Sequence, residues 1–177
     1  MQSSSSVKVS PPFAIELLRS QHKREAFACG VEALDRYFRE QVGQDPRRRA
    51  AACYVAREIA TDAIAGYYTL SAGSVLLTRM PQTLSKKLPR YPDVPVARLG
   101  RLAVGTKFQG RKLGAALLWD AIERAGRSEV VVYGVVVDAK DDEAVAFYEH
   151  HGFITLSVET RQLVLPLANR REGLAKK

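Results

Sequence analysis

The sequence predicts an α/β protein with one domain and a mixed central sheet. Two apolar runs with strong strand propensity, residues 96–104 and 130–138, flank residues 111–127, whose apolar side chains recur with helical spacing. A strand, a helix and a second strand in this order form a βαβ unit, so the two strands should be parallel and buried. Shorter strand-like segments lie on both sides of this unit and favour antiparallel pairs.

The first part of the chain predicts one strand, one helix and a hairpin. Residues 13–18 are strand-like, and residues 31–42 carry an apolar side chain at every fourth position, as an amphipathic helix does. Residues 51–59 and 64–77 are strand-like, and the Thr-Asp turn between them predicts that they form a hairpin.

Prolines and acids define the elements that follow. Residues 80–95 contain four prolines, which exclude a long helix or a central strand, so we expect a loop with a short turn. Residues 141–143 are all acidic, which favours the first turn of a second helix, and Gly152 ends that helix. Residues 153–158 and 161–167 predict a final hairpin.

Composition bounds the kind of protein. With 46% hydrophobic and 26% charged residues in a chain of 177, residues 13–168 should form one globular domain. The Ser-rich residues 1–12 predict a disordered leader, and residues 169–177 a basic, frayed tail.

No targeting or membrane segment is evident in the sequence. No apolar run approaches the roughly 20 residues of a membrane span, and the start lacks a signal-peptide pattern, so we expect a cytoplasmic protein. Cys29 and Cys53 lack metal-ligand spacing and should be reduced core residues.

The loop inside the βαβ unit has the features of a diphosphate cradle. Gly110 has no Cβ to block a ligand, so the backbone N–H groups of residues 109–115 can converge on anionic oxygens at the start of the helix. Arg111 and Lys112 add positive charge, and Gly114 lets a ligand approach the helix backbone closely. The alternative is that the glycines only make the turn.

The positive charge of the chain is concentrated beside this loop. Residues 79–112 hold nine Lys or Arg and one acid, which accounts for the whole net charge of +8. A coenzyme with several phosphates would use only the last few of these charges. A second polyanion, nucleic acid, is therefore a hypothesis, and a solvated basic face without a partner is its alternative.

The loop resembles the acetyl-CoA motif of the GNAT acetyltransferases. Residues 109–115, Gln-Gly-Arg-Lys-Leu-Gly-Ala, match Gln/Arg-x-x-Gly-x-Gly/Ala, with Ala115 at the second small position. The resemblance covers about residues 13–167 and implies a single-domain GNAT fold with splayed parallel strands flanked by helices. It implies acetyl-CoA as cofactor, held by Leu102, Ala103, Val104, Gln109, Gly110, Arg111, Lys112, Leu113, Gly114, Ala115, Ala139, Ala144 and Phe147.

Further stretches resemble the acetyltransferase toxins of bacterial toxin-antitoxin systems. They are residues 27–38, 66–71, 88–96, 137–140 and 146–153. The resemblance implies acetylation of the α-amine of an aminoacyl-tRNA, which blocks translation, although it does not identify the tRNA. It also implies a ribbon-helix-helix antitoxin as partner and a homodimer, with no membrane association.

Acyl transfer predicts roles for a few side chains. Tyr148 lies where the family's thiol-protonating tyrosine lies, and a phenol with a pKa of about 10 can donate to a departing thiolate; the alternative is that Tyr148 is only a core residue. The resemblance suggests the backbone N–H of Ala103 or Val104 as oxyanion donor. None of His22, His150 and His151 is assigned as a general base.

The acceptor side is predicted from charge. We expect phosphate contacts from five basic side chains, namely Arg79, Lys86, Lys87, Arg90 and Arg98. Tyr68 and Ser71 are candidates for lining the acceptor pocket. Two other functions stay open: an acetyltransferase of a small amine or protein N-terminus, and a non-catalytic nucleic-acid-binding module.

Overall fold

A seven-stranded sheet in the order β1-β2-β3-β4-β5-β7-β6 forms the centre of the computed structural model, which describes residues 11–167. Its strands are β1 (Phe13–Leu17), β2 (Ala52–Glu58), β3 (Ile64–Leu76), β4 (Asp93–Val104), β5 (Gly134–Asp138), β6 (Ile154–Ser157) and β7 (Gln162–Pro166). Among these described strands only β4 and β5 pair in parallel, so the predicted mixed sheet is confirmed. Most of the predicted leader and the whole tail lie outside the described residues.

Five α-helices in this part of the chain connect or cover the strands. They are α1 (Glu32–Arg36), α2 (Gln44–Arg47), α3 (Gln82–Ser85), α4 (Leu113–Arg127) and α5 (Asp142–His150). The single helix predicted for residues 31–42 is α1 followed by a π-helical turn, Tyr37–Gln41. Leu117, Leu118 and Ile122 of α4 are fully buried against the sheet, as the predicted apolar periodicity requires.

The two faces of the sheet have different covers. Tyr68 points to the face that packs against α4 and α5, which we call the α4/α5 face. Its neighbour Tyr67 points to the opposite face and stacks on Phe38, because successive side chains of a strand alternate. The opposite face carries two separate apolar clusters, one beneath α1 and one beneath residues 77–92.

Strand β4 begins before its predicted start and contains Pro95, although the prolines predicted a loop there. The carbonyl of Pro95 accepts a hydrogen bond from Tyr133 N–H, so the backbone of Pro95 faces away from β3. Parallel pairing with β5 begins only at Val96. The missing N–H of Pro95 therefore costs no ladder hydrogen bond.

Strand β5 begins at Gly134 rather than at residue 130. Val130 and Val131 are 73% and 82% exposed, so their apolar character did not indicate a buried strand. A Cβ on Gly134 would lie 2.6 Å from the carbonyl oxygen of Leu165, which shows how closely β5 and β7 approach.

The two cysteines are core residues, as predicted. Cys29 and Cys53 are free and buried. Within residues 11–167, no helix is long and apolar enough to span a bilayer, and no His, Cys, Asp and Glu cluster could hold a metal.

Candidate active site

The start of α4 is an uncapped helix terminus. None of the described side chains caps it, and no acid lies in its first turn. The backbone N–H groups of Leu113, Gly114 and Ala115 therefore lack intrahelical partners and lie at the positive end of the helix dipole. By contrast, α5 is capped, because the Asp141 carboxylate accepts a 2.8 Å hydrogen bond from Ala144 N–H.

The loop before α4 contains two left-handed residues, Gly110 with φ 79° and Lys112 with φ 61°. Counted from Gln109, the glycine of the GNAT motif falls at Lys112, and its last small residue is Gly114 rather than Ala115. Lys112 thus adopts a conformation that glycine enters without strain. The helix starts at Leu113 instead of residue 111, because a left-handed Lys112 cannot belong to it.

A cavity of about 490 Å³ opens at this helix terminus. Eight of the predicted cofactor residues line it: Val104, Gln109, Gly110, Lys112, Leu113, Gly114, Ala115 and Phe147. Phe108, His150 and His151 line it too, although no cofactor role was predicted for them. Backbone donors, nearby basic side chains and an apolar wall suit a ligand with a diphosphate and an aliphatic arm.

The remaining predicted cofactor residues lie outside the lining of this cavity. They are Leu102, Ala103, Arg111, Ala139 and Ala144. The N–H groups of Ala139 and Ala144 already donate within the fold, to Arg161 O and to Asp141. The side chain of Ala103 is buried beneath α1 on the opposite face. The N–H groups of Ala139 and Ala144 and the side chain of Ala103 are therefore not available to a ligand in the cavity.

Strand β4 has an open edge next to the cavity. Its pairing with β5 ends at Leu99 and Val137, while β4 continues to Val104. Gly105 N–H donates to Ala65 O in β3, so alternation directs the N–H of Ala103 towards β3 and that of Val104 towards the open edge. Of the two predicted oxyanion donors, only Val104 has an N–H facing the gap between β4 and β5.

Tyr148 lies on α5 beside the cavity, although it does not line it. Its ring is buried between Phe147 and Phe153, and this burial raises the pKa of the phenol to about 12. No described residue hydrogen-bonds its hydroxyl, and no buried side-chain oxygen in the described part of the chain lacks a partner, so the hydroxyl reaches solvent. The ring is core, and the hydroxyl is a free donor.

His22 and His151 both have hydrogen-bond partners within the fold. His22 is buried with Nδ1 accepting from Arg19 N–H and Nε2 2.8 Å from Glu16 Oε1, so neither nitrogen is free for catalysis. It lines a larger cavity of about 1060 Å³ on the other side of Phe108. That cavity contains no free helix terminus, and we therefore place the chemistry in the smaller one. His151 Nδ1 lies 2.7 Å from Phe147 O.

Four of the predicted phosphate-binding side chains are free of ion pairs. Arg79, Lys86, Lys87 and Arg90 are exposed, and no described carboxylate pairs with them. They lie on residues 77–92, which pack through Met80, Leu84 and Leu88 onto the opposite face of the sheet. We call residues 77–92 the basic segment.

Two other acceptor-side candidates have partners within the fold. The Arg98 guanidinium is paired with Asp138, which leaves it fewer free donors for a phosphate than the four side chains of the basic segment have. Tyr68 is fully buried and donates to Asp120 of α4, so it cannot line an acceptor pocket. Ser71 is half-buried on the opposite face, two residues beyond Thr69.

Comparisons with known proteins agree with this geometry. The profile of the Acetyltransferase (GNAT) family matches residues 15–153. A tRNA-acetylating toxin of Mycobacterium tuberculosis (strain ATCC 25618 / H37Rv) is 33% identical over 148 residues, which cover 82% of this chain and 87% of that protein.

Two solved structures resemble the fold closely. AtaT complexed with acetyl-methionyl-tRNAfMet has a TM-score of 0.84 and 27% identity, covering 93% of this chain and 99% of that one. A mutant AtaT toxin bound to the C-terminus of the antitoxin AtaR and acetyl-CoA has a TM-score of 0.77 and 25% identity, covering 94% and 100%.

Proposed function

This chain belongs to the GNAT acetyltransferase family, and from that premise we propose that it is a toxin that acetylates the α-amine of an aminoacyl-tRNA. Acetyl-CoA is the donor, and the acetylated tRNA can no longer serve translation. The similarity to a tRNA-acetylating toxin and to AtaT with its acetylated tRNA product supports this acceptor class.

One observation carries the proposal for this chain. The basic segment packs on the face of the sheet opposite α4 and α5, while the cofactor cavity opens at the start of α4. The gap between β4 and β5 connects the two faces. A polyanion on the basic segment can therefore extend its end through the gap towards the thioester without competing with the cofactor.

The residues of the chain divide the chemistry among them. Bound acetyl-CoA supplies an activated thioester. The N–H groups at the start of α4 hold the diphosphate, and Val104 N–H holds the thioester carbonyl oxygen as it gains charge. The neutral amine forms the new N–C bond as the thioester C–S bond breaks, and it loses its proton to solvent. Tyr148 donates its proton to the departing sulfur and recovers one from solvent.

The same similarity supports a protein partner. AtaT binds the C-terminus of its antitoxin AtaR. We propose an antitoxin of ribbon-helix-helix type for this chain, a homodimer as its assembled state, and the cytoplasm, where charged tRNA is found, as its place of action.

Neither alternative function has a comparable observation in its favour. An enzyme for small amines or protein N-termini would leave the basic segment without a role. A non-catalytic module would leave the free helix terminus, the cavity and the unbonded Tyr148 hydroxyl without one.

The direct experiment is an acetylation assay with labelled acetyl-CoA. We expect transfer to charged tRNA, with much slower transfer to free amino acids, peptides and polyamines. A panel of tRNAs charged with different amino acids identifies the substrate. Induction of the wild type should stop growth, and co-expression of the antitoxin should restore it; efficient acetylation of free amines and none of charged tRNA would contradict the proposal.

A further inference from the structure

A polar gap separates the two apolar clusters on the opposite face of the sheet. It lies where β4 leaves β5, after Leu99 and Val137. Strand alternation places the side chains of Thr69, Asp138 and Gln162 on this face, between the cluster beneath α1 and the cluster beneath the basic segment. Gly100 is an extra residue in β4 at the register shift with β3, so Arg98 and Arg101 both lie on this face as well. Asp138 and Arg101 carry opposite charges, and each can bind a group of the opposite sign on a ligand.

Asp138 is a carboxylate held in place on one side of the gap. It is the last residue of β5, and its carboxylate accepts hydrogen bonds from the Arg98 guanidinium and, at 2.9 Å, from Gln162 Nε2. The Asp138 side chain remains 54% exposed, so a further donor can approach it. An acid does not help phosphate binding, but it suits an amino group.

Arg101 is a cation held in place on the other side of the gap. Its guanidinium carbon lies 3.5 Å from the centroid of the Tyr37 ring, and Tyr37 in turn donates its hydroxyl to Asp45. None of the described residues forms an ion pair or hydrogen bond with this guanidinium. Stacking therefore orients Arg101 while its N–H donors stay available for an anion.

The position of the gap determines what can bind there. The open edge of β4 runs from Gly100 to Val104, and Val104 reaches the cofactor cavity on the α4/α5 face. Arg101 lies on this open edge and Asp138 is the last residue of β5, so the two side chains flank the approach from the basic segment to the edge. The end of an aminoacyl-tRNA carries an α-amino group and, one nucleoside away, a phosphate.

We propose that the gap binds the acylated 3′ end of the tRNA, with Asp138 binding the α-amino group and Arg101 binding the phosphate before the terminal adenosine. Arg98 and Gln162 position Asp138, and Tyr37 positions Arg101. The inference rests on the proposed function and names the residues that select its acceptor.

Three acceptors of decreasing size test the two contacts separately. They are the aminoacyl-tRNA, the same amino acid on a cytidine-cytidine-adenosine trinucleotide, and the aminoacyl-adenosine, which has no phosphate. Asp138→Asn should raise KM about tenfold or more for all three, because it removes a charged hydrogen-bond partner. Arg101→Gln should raise KM for the first two and leave the aminoacyl-adenosine unchanged.

Matched variants control for charge and folding. Asp62→Asn breaks the Arg57 ion pair of an 81% exposed carboxylate, and Arg127→Gln breaks an exposed pair with Glu123. Both should leave every KM unchanged. In all variants the KM for acetyl-CoA should stay near wild type, since neither Asp138 nor Arg101 lines the cofactor cavity. The thermal midpoint of each variant measures how far the change affects the fold.

The outcomes separate this inference from the proposed function. Unchanged acceptor KM values in Asp138→Asn would overturn the amine contact, and an equal penalty on all three acceptors in Arg101→Gln would overturn the phosphate contact. A wild-type protein that acetylates none of the three would instead overturn the proposed function itself.

Discussion

The side-chain amide of Gln109 donates a 3.1 Å hydrogen bond to the carbonyl oxygen of Cys29, which lies eighty residues earlier in the chain. The same nitrogen lies 3.1 Å from the carbonyl oxygen of Val104. Close by, Thr106 N–H donates to Ala28 O at 2.9 Å. The first side chain of the acetyl-CoA motif thus fixes the loop to the segment before α1 and to the end of β4, and leaves the loop N–H groups for the ligand.

Replacing Gln109 by Leu should loosen the loop. Two carbonyl oxygens lose their donor, so we expect the free energy of unfolding to fall by about 1 to 2 kcal/mol and acetyl-CoA affinity to fall several-fold. Urea denaturation and calorimetry measure the two effects. A loss of stability with unchanged affinity would show that the amide supports the fold without shaping the cofactor site.

Tyr148→Phe should separate binding from chemistry. The ring contacts with Phe147 and Phe153 are kept, while the free hydroxyl is lost. We expect acetyl-CoA affinity within a few-fold of wild type and single-turnover rates lower by roughly 10² to 10⁴, the usual contribution of one general acid. A variant with normal turnover would make Tyr148 a core residue only.

Alkaline pH should destabilise the protein through its buried phenols and thiols. Burial raises the pKa of Tyr148 from 10.0 to about 12 and that of the Cys29 thiol from 9.0 to about 11. The folded state keeps these protons longer than the unfolded state, so stability is complete below about pH 9 and falls as pH rises towards 12.

For Tyr148 alone the loss amounts to about 3 kcal/mol between pH 10 and 12. Denaturation of wild type and Tyr148→Phe at several pH values measures it. The difference in stability between the two proteins should change by that amount over this interval, and parallel curves would contradict the burial of the phenol.

Much of this site was predictable because its signals are local. The loop from Gln109 to Gly114 and the helix after it follow from sequence spacing, and eight predicted residues do surround one cavity. The pair of Arg101 and Asp138 was not predictable, because tertiary contacts with Tyr37 and Gln162 orient these two side chains. The pairing of Arg98 with Asp138 was not predictable for the same reason, since the two residues lie forty positions apart.

The ends of strands were predicted poorly where they depend on which residues the neighbouring strands pair with. Nothing in the Val-rich run distinguishes the exposed Val130 and Val131 from the buried Val135 and Val136. The difference arises because β7 and β4 pair only with residues from Gly134 onwards. Pro95 can lie within β4 because its missing N–H would face β5, and β5 pairs with β4 only from Val96 onwards.

Lys112→Gly restores the glycine of the family motif and tests what the lysine adds. The change relieves a left-handed lysine but gives the unfolded chain more freedom, so we expect stability to change by no more than about 1 kcal/mol. The loss of one cation beside the diphosphate should weaken acetyl-CoA binding a few-fold at low salt and less at high salt. Calorimetry at two salt concentrations tests this, and a salt-independent change would place the side chain away from the phosphates.

The basic segment should control affinity for tRNA. Replacing Lys86, Lys87 and Arg90 by Gln removes three exposed charges from the opposite face. If each contacts a phosphate, the slope of log affinity against log salt should become shallower by about two to three, and the tRNA concentration for half-maximal rate should rise. Acetyl-CoA affinity should not change, because none of the three lines the cofactor cavity.

The chain offers a matched control for this variant. Arg47, Arg48 and Arg49 form another exposed run of three charges, at the end of α2 and outside the basic segment. Their replacement by Gln changes the net charge by the same amount. If the two triple variants flatten the salt slope equally, tRNA responds to overall charge, and the basic segment has no special part in binding. A large effect confined to Lys86, Lys87 and Arg90, and absent with aminoacyl-adenosine as acceptor, assigns the tRNA body to the basic segment.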